Sequence, residues 1–348
     1  MTELSRERVA AVDPGGMLDA VLGQPAQIAD ALWRVESAGA EAVDARGGLL
    51  VCGMGGSAIG GDLAAAAIGD RARRPIRTVR GYELEPWVGD DTLVLCASYS
   101  GDTEETLACW RAAREAGAPR IALTTGGELA AAAREEGVPV MSPPGGFQPR
   151  AGVVYMLVGA LECAALCGAA PSLRGELEAA AEPLAKLAGE WGPDGAPESQ
   201  AKALASKLNG TVAVIHGAGL TAPVARRWKT QLNENSKLPA FHSELPEADH
   251  NEVCGWDATD GLAPMSAVFL ADPDLSDRMR SRVELTADIA RRGAPTVETI
   301  EPWGETRIER VLAAILLGDL VSVYVAALRG VDPTPVAAIE DFKSALNH

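Results

Sequence analysis

Two loops rich in glycine and hydroxyl side chains carry the clearest chemistry in this chain. The first, Gly53-Met54-Gly55-Gly56-Ser57-Ala58-Ile59-Gly60-Gly61-Asp62, follows an apolar run and opens an alanine-rich stretch. Its glycines let the backbone turn tightly and come close to a ligand. Free amides at a helix N-terminus hold an anion, and Ser57 adds a hydroxyl donor. In the second, Ser98-Tyr99-Ser100-Gly101-Asp102-Thr103-Glu104-Glu105-Thr106, three hydroxyls at 98, 100 and 103 can converge on one anion while Gly101 turns backbone amides inward. Either loop alone fits an ordinary turn or a capping box, because Ser/Thr followed by Glu also starts a helix. Together, each at the carboxyl end of a strand, they predict a phosphate site of neutral donors: Gly55, Gly56, Ser57, Ser98, Ser100 and Thr103. A dinucleotide turn fits less well, since the spacing is not a clean GxGxxG and no acidic residue ends a second strand to receive a ribose.

Neutral, local donors also suit the global charge. Lys and Arg number 31 against 48 Asp and Glu, a formal net charge of −17, which repels nucleic acid and anionic membranes. An anionic ligand must therefore be held by geometry more than by a basic patch. Asp102 stands inside the second loop, and beside a bound phosphate it must point away or cap a helix. The six cysteines at 52, 96, 109, 163, 167 and 254 form no CxxC pair, and Cys52 and Cys96 lie in apolar runs, so they read as reduced small hydrophobes. The histidines at 216, 242, 250 and 348 make no metal-ligand cluster at zinc spacing, and no metal is expected.

These loops need a rigid frame, and the sequence outlines one. Length alone, 348 residues, favours two domains. The hydrophobic share of 47% and charged share of 23% are those of a globular protein. The runs GLLVCG, TLVLCAS, RIALTT and GVPVMS between 48 and 142 alternate with alanine-rich helical stretches. Continuous apolar strands of this kind belong to a parallel sheet covered on both faces. A Gly/Pro/acidic segment, GEWGPDGAPES, interrupts the pattern, and the grammar then restarts with TVAVIHG, MSAVFLAD and TVETI and helices near 221–235, 305–329 and 335–346. The expected architecture is α/β, two doubly wound parallel-sheet subdomains: residues 1–170, a linker at 171–200, and residues 201–348. The apolar stretch 153–170 carries Glu162 and lacks basic or aromatic flanks, so it is expected to be a buried helix. The N-terminus lacks an apolar secretory core, which points to the cytoplasm.

With GMGGSAIGGD and SYSGDTEET in place, the chain resembles the sugar isomerase (SIS) domain family. The later segments Asn233-Glu234-Asn235-Ser236-Lys237-Leu238-Pro239-Ala240, Pro246-Glu247-Ala248-Asp249-His250-Asn251, Val331-Asp332-Pro333-Thr334-Pro335 and Ile339-Glu340-Asp341-Phe342-Lys343 are similar to the bifunctional phosphoglucose/phosphomannose isomerases. The resemblance implies two SIS-type halves with a phosphorylated hexose between them, and no cofactor or metal. It makes Glu234 the base that moves a proton between C1 and C2, His250 the group that opens the sugar ring, and Arg150, in Phe147-Gln148-Pro149-Arg150-Ala151, the stabiliser of the enediolate oxygen. Lys343 would serve the ring-opening end, and Thr334 would set room and hydrogen bonding near C2. In that family the histidine enters from the neighbouring subunit, which implies a homodimer. Two other functions share the fold and the phosphate loops: a non-catalytic phosphosugar-binding regulator and an isomerase for another phosphosugar, such as an amino sugar.

Overall fold

The computed structural model describes residues 4–259 and 262–346, so His348 lies outside the described residues. Contacts divide the chain into two compact units, one of Gly23–Ala185 with Trp303–Leu312, the other of Met1–Leu22, Lys186–Pro302 and Ala313–His348. Two short helices come first, α1 (Arg6–Ala10) and α2 (Met17–Leu22).

The unit containing both loops starts with α3 (Gln24–Ser37) and continues β1 (Gly48–Gly53), α4 (Gly55–Ile68), β2 (Ile76–Val79), β3 (Thr92–Ala97), α5 (Glu104–Glu115), β4 (Arg120–Leu123), α6 (Gly127–Glu135), β5 (Val140–Met141) and α7 (Val153–Leu166). All pairings are parallel, in the order β2-β1-β3-β4-β5. β1 and β3 are buried along their whole length. Leu50, Cys52, Val94 and Cys96 face Leu107, Cys109 and Trp110 of α5 and Leu129 and Ala133 of α6. The alternate residue Val51 meets α4 at Gly61, where an added Cβ would come within 2.8 Å. Gly60 of α4 lies so close to α7 that its Cβ would sit 2.5 Å from the Met156 carbonyl carbon. Helices therefore cover both faces, as the continuous apolar strands predict.

Within 171–200, expected to be a linker, the chain forms α8 (Arg174–Trp191), with Pro183 inside it; residues 192–199 are irregular. Leu177, Ala180, Leu184, Leu187, Ala188 and Trp191 are buried at helical spacing, a stripe thin enough to look aperiodic among its Ala and Glu neighbours.

The other unit adds α9 (Gln200–Leu208), β6 (Val212–Ala218), α10 (Ala222–Glu234), β7 (Ala240–Leu245), β8 (Met265–Leu270), α11 (Asp277–Ala290) and β9 (Thr296–Ile300). Its sheet, order β7-β6-β8-β9, is parallel throughout. One face packs Val214, Ala267 and Phe269 on Val283, Ala287 and Ala290 of α11. Helix α12 (Arg307–Arg329) precedes α13 (Ala337–Leu346). In its later part α12 takes the Trp228 indole of α10 against Gly318, and the Trp228 Nε1 donates to Ala314 O at 2.8 Å. Arg227 beside it forms a fully buried two-point ion pair with Asp319, at 3.0 and 2.6 Å. Pro149–Leu166 and Arg307–Arg329 are long and apolar enough to cross a membrane, but 78% and 94% of those windows is buried, as in core helices.

Candidate functional site

In the order β2-β1-β3-β4-β5 the chain leaves β1 toward one edge and then returns to build the other, so the direction switches between β1 and β3. A doubly wound sheet opens a crevice there, at the carboxyl ends of the strands. The two loops singled out from sequence are the ones that follow β1 and β3.

Their hydroxyls are arranged as a nest. The Tyr99 amide donates to Ser57 Oγ at 3.1 Å, which ties the second loop to the first. The Gly101 amide donates to Ser98 Oγ at 3.1 Å, and Ser98 Oγ lies 2.8 Å from Thr103 Oγ1. The Asp102 amide donates to Ser100 Oγ at 3.3 Å. Because Ser57 and Ser100 each accept from an amide, each retains its own proton to give to an anion. Ser98 and Thr103 share one proton and keep the second. Gly55 and Gly56 form the first turn of α4, whose N-cap, Met54, supplies no side-chain bond, leaving amides for the same anion. Gly101 is obligatory: its φ is +86°, and a Cβ would sit 1.9 Å from Gly126 O. The Asp102 carboxylate is turned away from this use, accepting from the Glu128 amide at 2.9 Å as a cap on α6.

Arg150 belongs to the same unit. It sits in the single helical turn Pro149–Gly152 ahead of α7 and is 3% exposed. A Cβ on Gly56 would lie 3.1 Å from Arg150 Cα, so the first glycine-rich loop and the Arg150 backbone are in close contact.

Glu234, His250, Thr334 and Lys343 all lie in the other unit. Glu234 is the last residue of α10, partly exposed. Its neighbours are pinned on both sides. Asn233 Nδ2 donates to Leu238 O at 2.8 Å, Asn235 Nδ2 to Ser322 Oγ at 2.9 Å, and Ser236 Oγ to Ser322 O at 2.7 Å. Lys237 has a positive φ of 53°, and its Nζ donates both to Glu234 O and to Pro333 O, the latter at 3.2 Å. The candidate base and the segment bearing Thr334 are thereby linked. Thr334 packs on Gly15, where a Cβ would come within 2.3 Å of its Oγ1. His250 is exposed at the end of the turn Glu247–His250. Asp249 anchors that turn to α11 through Arg282 Nη1 at 2.8 Å and Thr286 Oγ1 at 2.6 Å. Lys343 is exposed on α13.

Sequence reasoning missed the supports: Ser322, which receives both Asn235 and Ser236, and Lys237, which joins two motifs about a hundred residues apart. The sheet of this unit has the corresponding switch point between β6 and β8, which Thr221 bridges. Thr221 Oγ1 donates to Leu270 O at 2.6 Å and accepts from the Ala218 amide at 3.0 Å. Asp272 is buried just beyond β8, and a carboxylate there repels an anion. The cluster of proton-donating hydroxyls found after β1 and β3 therefore has no counterpart in Thr221 and Asp272.

Comparison with known proteins gives a consistent result. Residues 197–346 match the family described as the bacterial phospho-glucose isomerase C-terminal SIS domain. The bifunctional phosphoglucose/phosphomannose isomerase of Caldicellulosiruptor bescii is 36% identical, covering 86% of this chain and 89% of that one. The enzyme of the same name from Aquifex aeolicus is 37% identical over 86% of this chain and 90% of its own. Among solved structures, a hypothetical protein of Thermus thermophilus superposes with a TM-score of 0.76 at 16% identity, covering 99% of this chain and 93% of its own. That likeness shows the fold.

Proposed function

The chain belongs to the bifunctional phosphoglucose/phosphomannose isomerase family, and we propose that it is an aldose–ketose isomerase interconverting fructose 6-phosphate with glucose 6-phosphate, mannose 6-phosphate or both. The observation that carries the phosphosugar reading is the hydroxyl nest of Ser57, Ser98, Ser100 and Thr103 at the switch point of the first sheet. Neutral donors hold a dianion there in a chain that is itself strongly acidic.

In this reading His250 passes a proton between O1 and the ring oxygen, and the sugar opens. Lys343 holds the sugar oxygens at that end. Glu234 then takes the C2 proton of the aldose as the C1 carbonyl oxygen gains negative charge, giving a cis-enediolate. Returning the same proton to C1, as the C2 hydroxyl proton passes to O1, leaves the ketone at C2 and a hydroxyl at C1, so atoms and charge balance with no outside oxidant. Arg150 supplies the positive charge for the enediolate oxygen, the kind of fixed electrostatic contribution that is usually the largest in such sites. The pinning of Asn233, Asn235 and Ser236 supports Glu234 as base, since a proton shuttled between adjacent carbons needs a carboxylate held in one place. Thr334, next to the Pro333 carbonyl that Lys237 holds, affects selectivity at C2 in this reading. Every step runs through side chains, so the reaction is proposed to be metal-independent. We further assign a cytoplasmic homodimer in which each exposed His250 serves the neighbouring subunit's site.

Formation of fructose 6-phosphate from each aldose phosphate, with and without EDTA, tests the proposal. Turnover that survives EDTA supports it, and the two substrates settle specificity. Binding of hexose phosphate without turnover would make the protein a sensor, and turnover of only an amino-sugar phosphate would assign a different isomerisation.

A further inference from the structure

Tyr99 has no part in the steps above, yet several pieces of chain meet at it. Its amide donates to Ser57 Oγ, and its carbonyl accepts from the Thr125 amide at 3.1 Å and from Thr125 Oγ1 at 2.8 Å. The first of those bonds ties the two hydroxyl-rich loops together, the other two tie the second loop to Thr125 after β4, and none uses the Tyr99 side chain. The side chain does something else. Its phenol donates to Pro144 O at 2.8 Å and accepts from the Phe147 amide at 3.0 Å. Its ring lies against Gly152, where an added Cβ would be 3.3 Å from the ring edge. Burial pushes the phenol pKa up, so the hydroxyl keeps the proton it donates.

Residues 144–152 are Pro-Gly-Gly-Phe-Gln-Pro-Arg-Ala-Gly, a segment whose composition favours many conformations. Gly146 has a φ of +97°. Within residues 144–152 the regular structure is the single turn Pro149–Gly152. One buried phenol thus holds this segment before Arg150, and the same ring bounds it after Arg150. A glycine-rich chain loses most of its freedom at such a tether. A displacement of about 1 Å in a group that must meet a developing charge costs about a hundredfold in rate.

We infer that Tyr99 is a positioning residue: through its phenol it fixes Arg150 relative to the phosphate nest that its own backbone helps to build. The inference rests on the reading of Arg150 as the enediolate-stabilising cation. Two separate jobs fall to one residue, and the two can be separated experimentally because only one of them uses the side chain.

Tyr99→Phe keeps the ring and every backbone bond and removes both bonds of the hydroxyl. It is expected to lower kcat about ten- to a hundredfold while changing competitive inhibition by inorganic phosphate less than about twofold. The decisive comparison places Tyr99→Phe in an Arg150→Ala background, following loss of deuterium from C2-labelled substrate by NMR over hours so that slow variants remain measurable. If Tyr99 acts through Arg150, the double variant is no slower than Arg150→Ala alone. Multiplication of the two losses would overturn the positioning role and leave Arg150 as assigned. Full activity in Arg150→Ala would instead remove the catalytic reading of Arg150, and the inference with it. Weakened phosphate inhibition in Tyr99→Phe would likewise overturn the separation of the two roles.

Discussion

His216 offers a quantitative test of the packing beneath the His250 turn. It lies on the central strand β6, 1% exposed, its ring stacked on Phe269 at 4.5 Å and 7° and tilted toward Trp256 at 6.2 Å. Neither ring nitrogen has a hydrogen-bond partner among the described residues. Burial lowers its pKa from 6.5 to about 4, against an opposing pull from Asp249. The unfolded chain therefore binds a proton near pH 6.5 that the folded chain refuses until about pH 4. The stability due to neutral His216 is complete above the higher value and is lost as pH falls toward the lower one. At 1.36 kcal/mol per unit, the loss is about 3 kcal/mol over the whole window and about 2 kcal/mol between about pH 7 and pH 5. His216→Phe and His216→Leu remove the titration and keep an apolar side chain. Urea unfolding at both pH values should show wild type losing about 2 kcal/mol more than either variant on acidification. Equal losses in wild type and variants, or an NMR titration placing His216 near its ordinary value, would refute the argument.

Gly101→Ala must move the second phosphate loop, because its Cβ would sit 1.9 Å from Gly126 O at a φ of +86°. Phosphosugar affinity by calorimetry should fall at least about tenfold, and an unchanged Kd would contradict the nest. Asp102→Ala deletes the cap on α6 and should cost about 1 kcal/mol in thermal unfolding while leaving kcat and KM within about twofold. A large rise in phosphate affinity would mean that its charge does bear on the anion. Mixing inactive Glu234→Gln and His250→Ala proteins and allowing subunits to exchange should restore about a quarter of wild-type activity, since half the dimers are mixed and each carries one intact shared site. No restoration would place His250 in its own subunit's site.

Much of the frame was legible because a strand buried on both faces is a continuous apolar run. GLLVCG, TLVLCAS, RIALTT, TVAVIHG and MSAVFLAD all mark strands of the structure. β2 and β7 escaped for the converse reason. β2 is only partly buried, and β7 alternates buried Ala240, Ser243 and Leu245 with exposed Phe241 and Glu244. As the outermost strands of their sheets they need less apolar content. The gathering of Ser57, Ser98 and Thr103 where the two loops meet was readable from residue type and spacing, and so was the dilemma of Asp102, which the structure resolves as a helix cap. What the sequence could not display is support reached across long stretches of chain. Lys237 meets Pro333, Asn235 meets Ser322, and the Tyr99 phenol reaches Pro144 and Phe147. None of these pairs follows from helical or strand periodicity, since each is created only when distant elements pack.

The claim on which the account turns is that Glu234 carries one proton between C2 and C1. Wild type and Glu234→Gln should be compared in deuterated water, with hexose 6-phosphate at saturation, by NMR of the C2 position and calorimetry of binding. The variant should keep its fold and its affinity for the phosphosugar and lose C2 exchange by at least about a thousandfold. Exchange at the wild-type rate in Glu234→Gln would contradict that claim, and the base would have to be sought elsewhere.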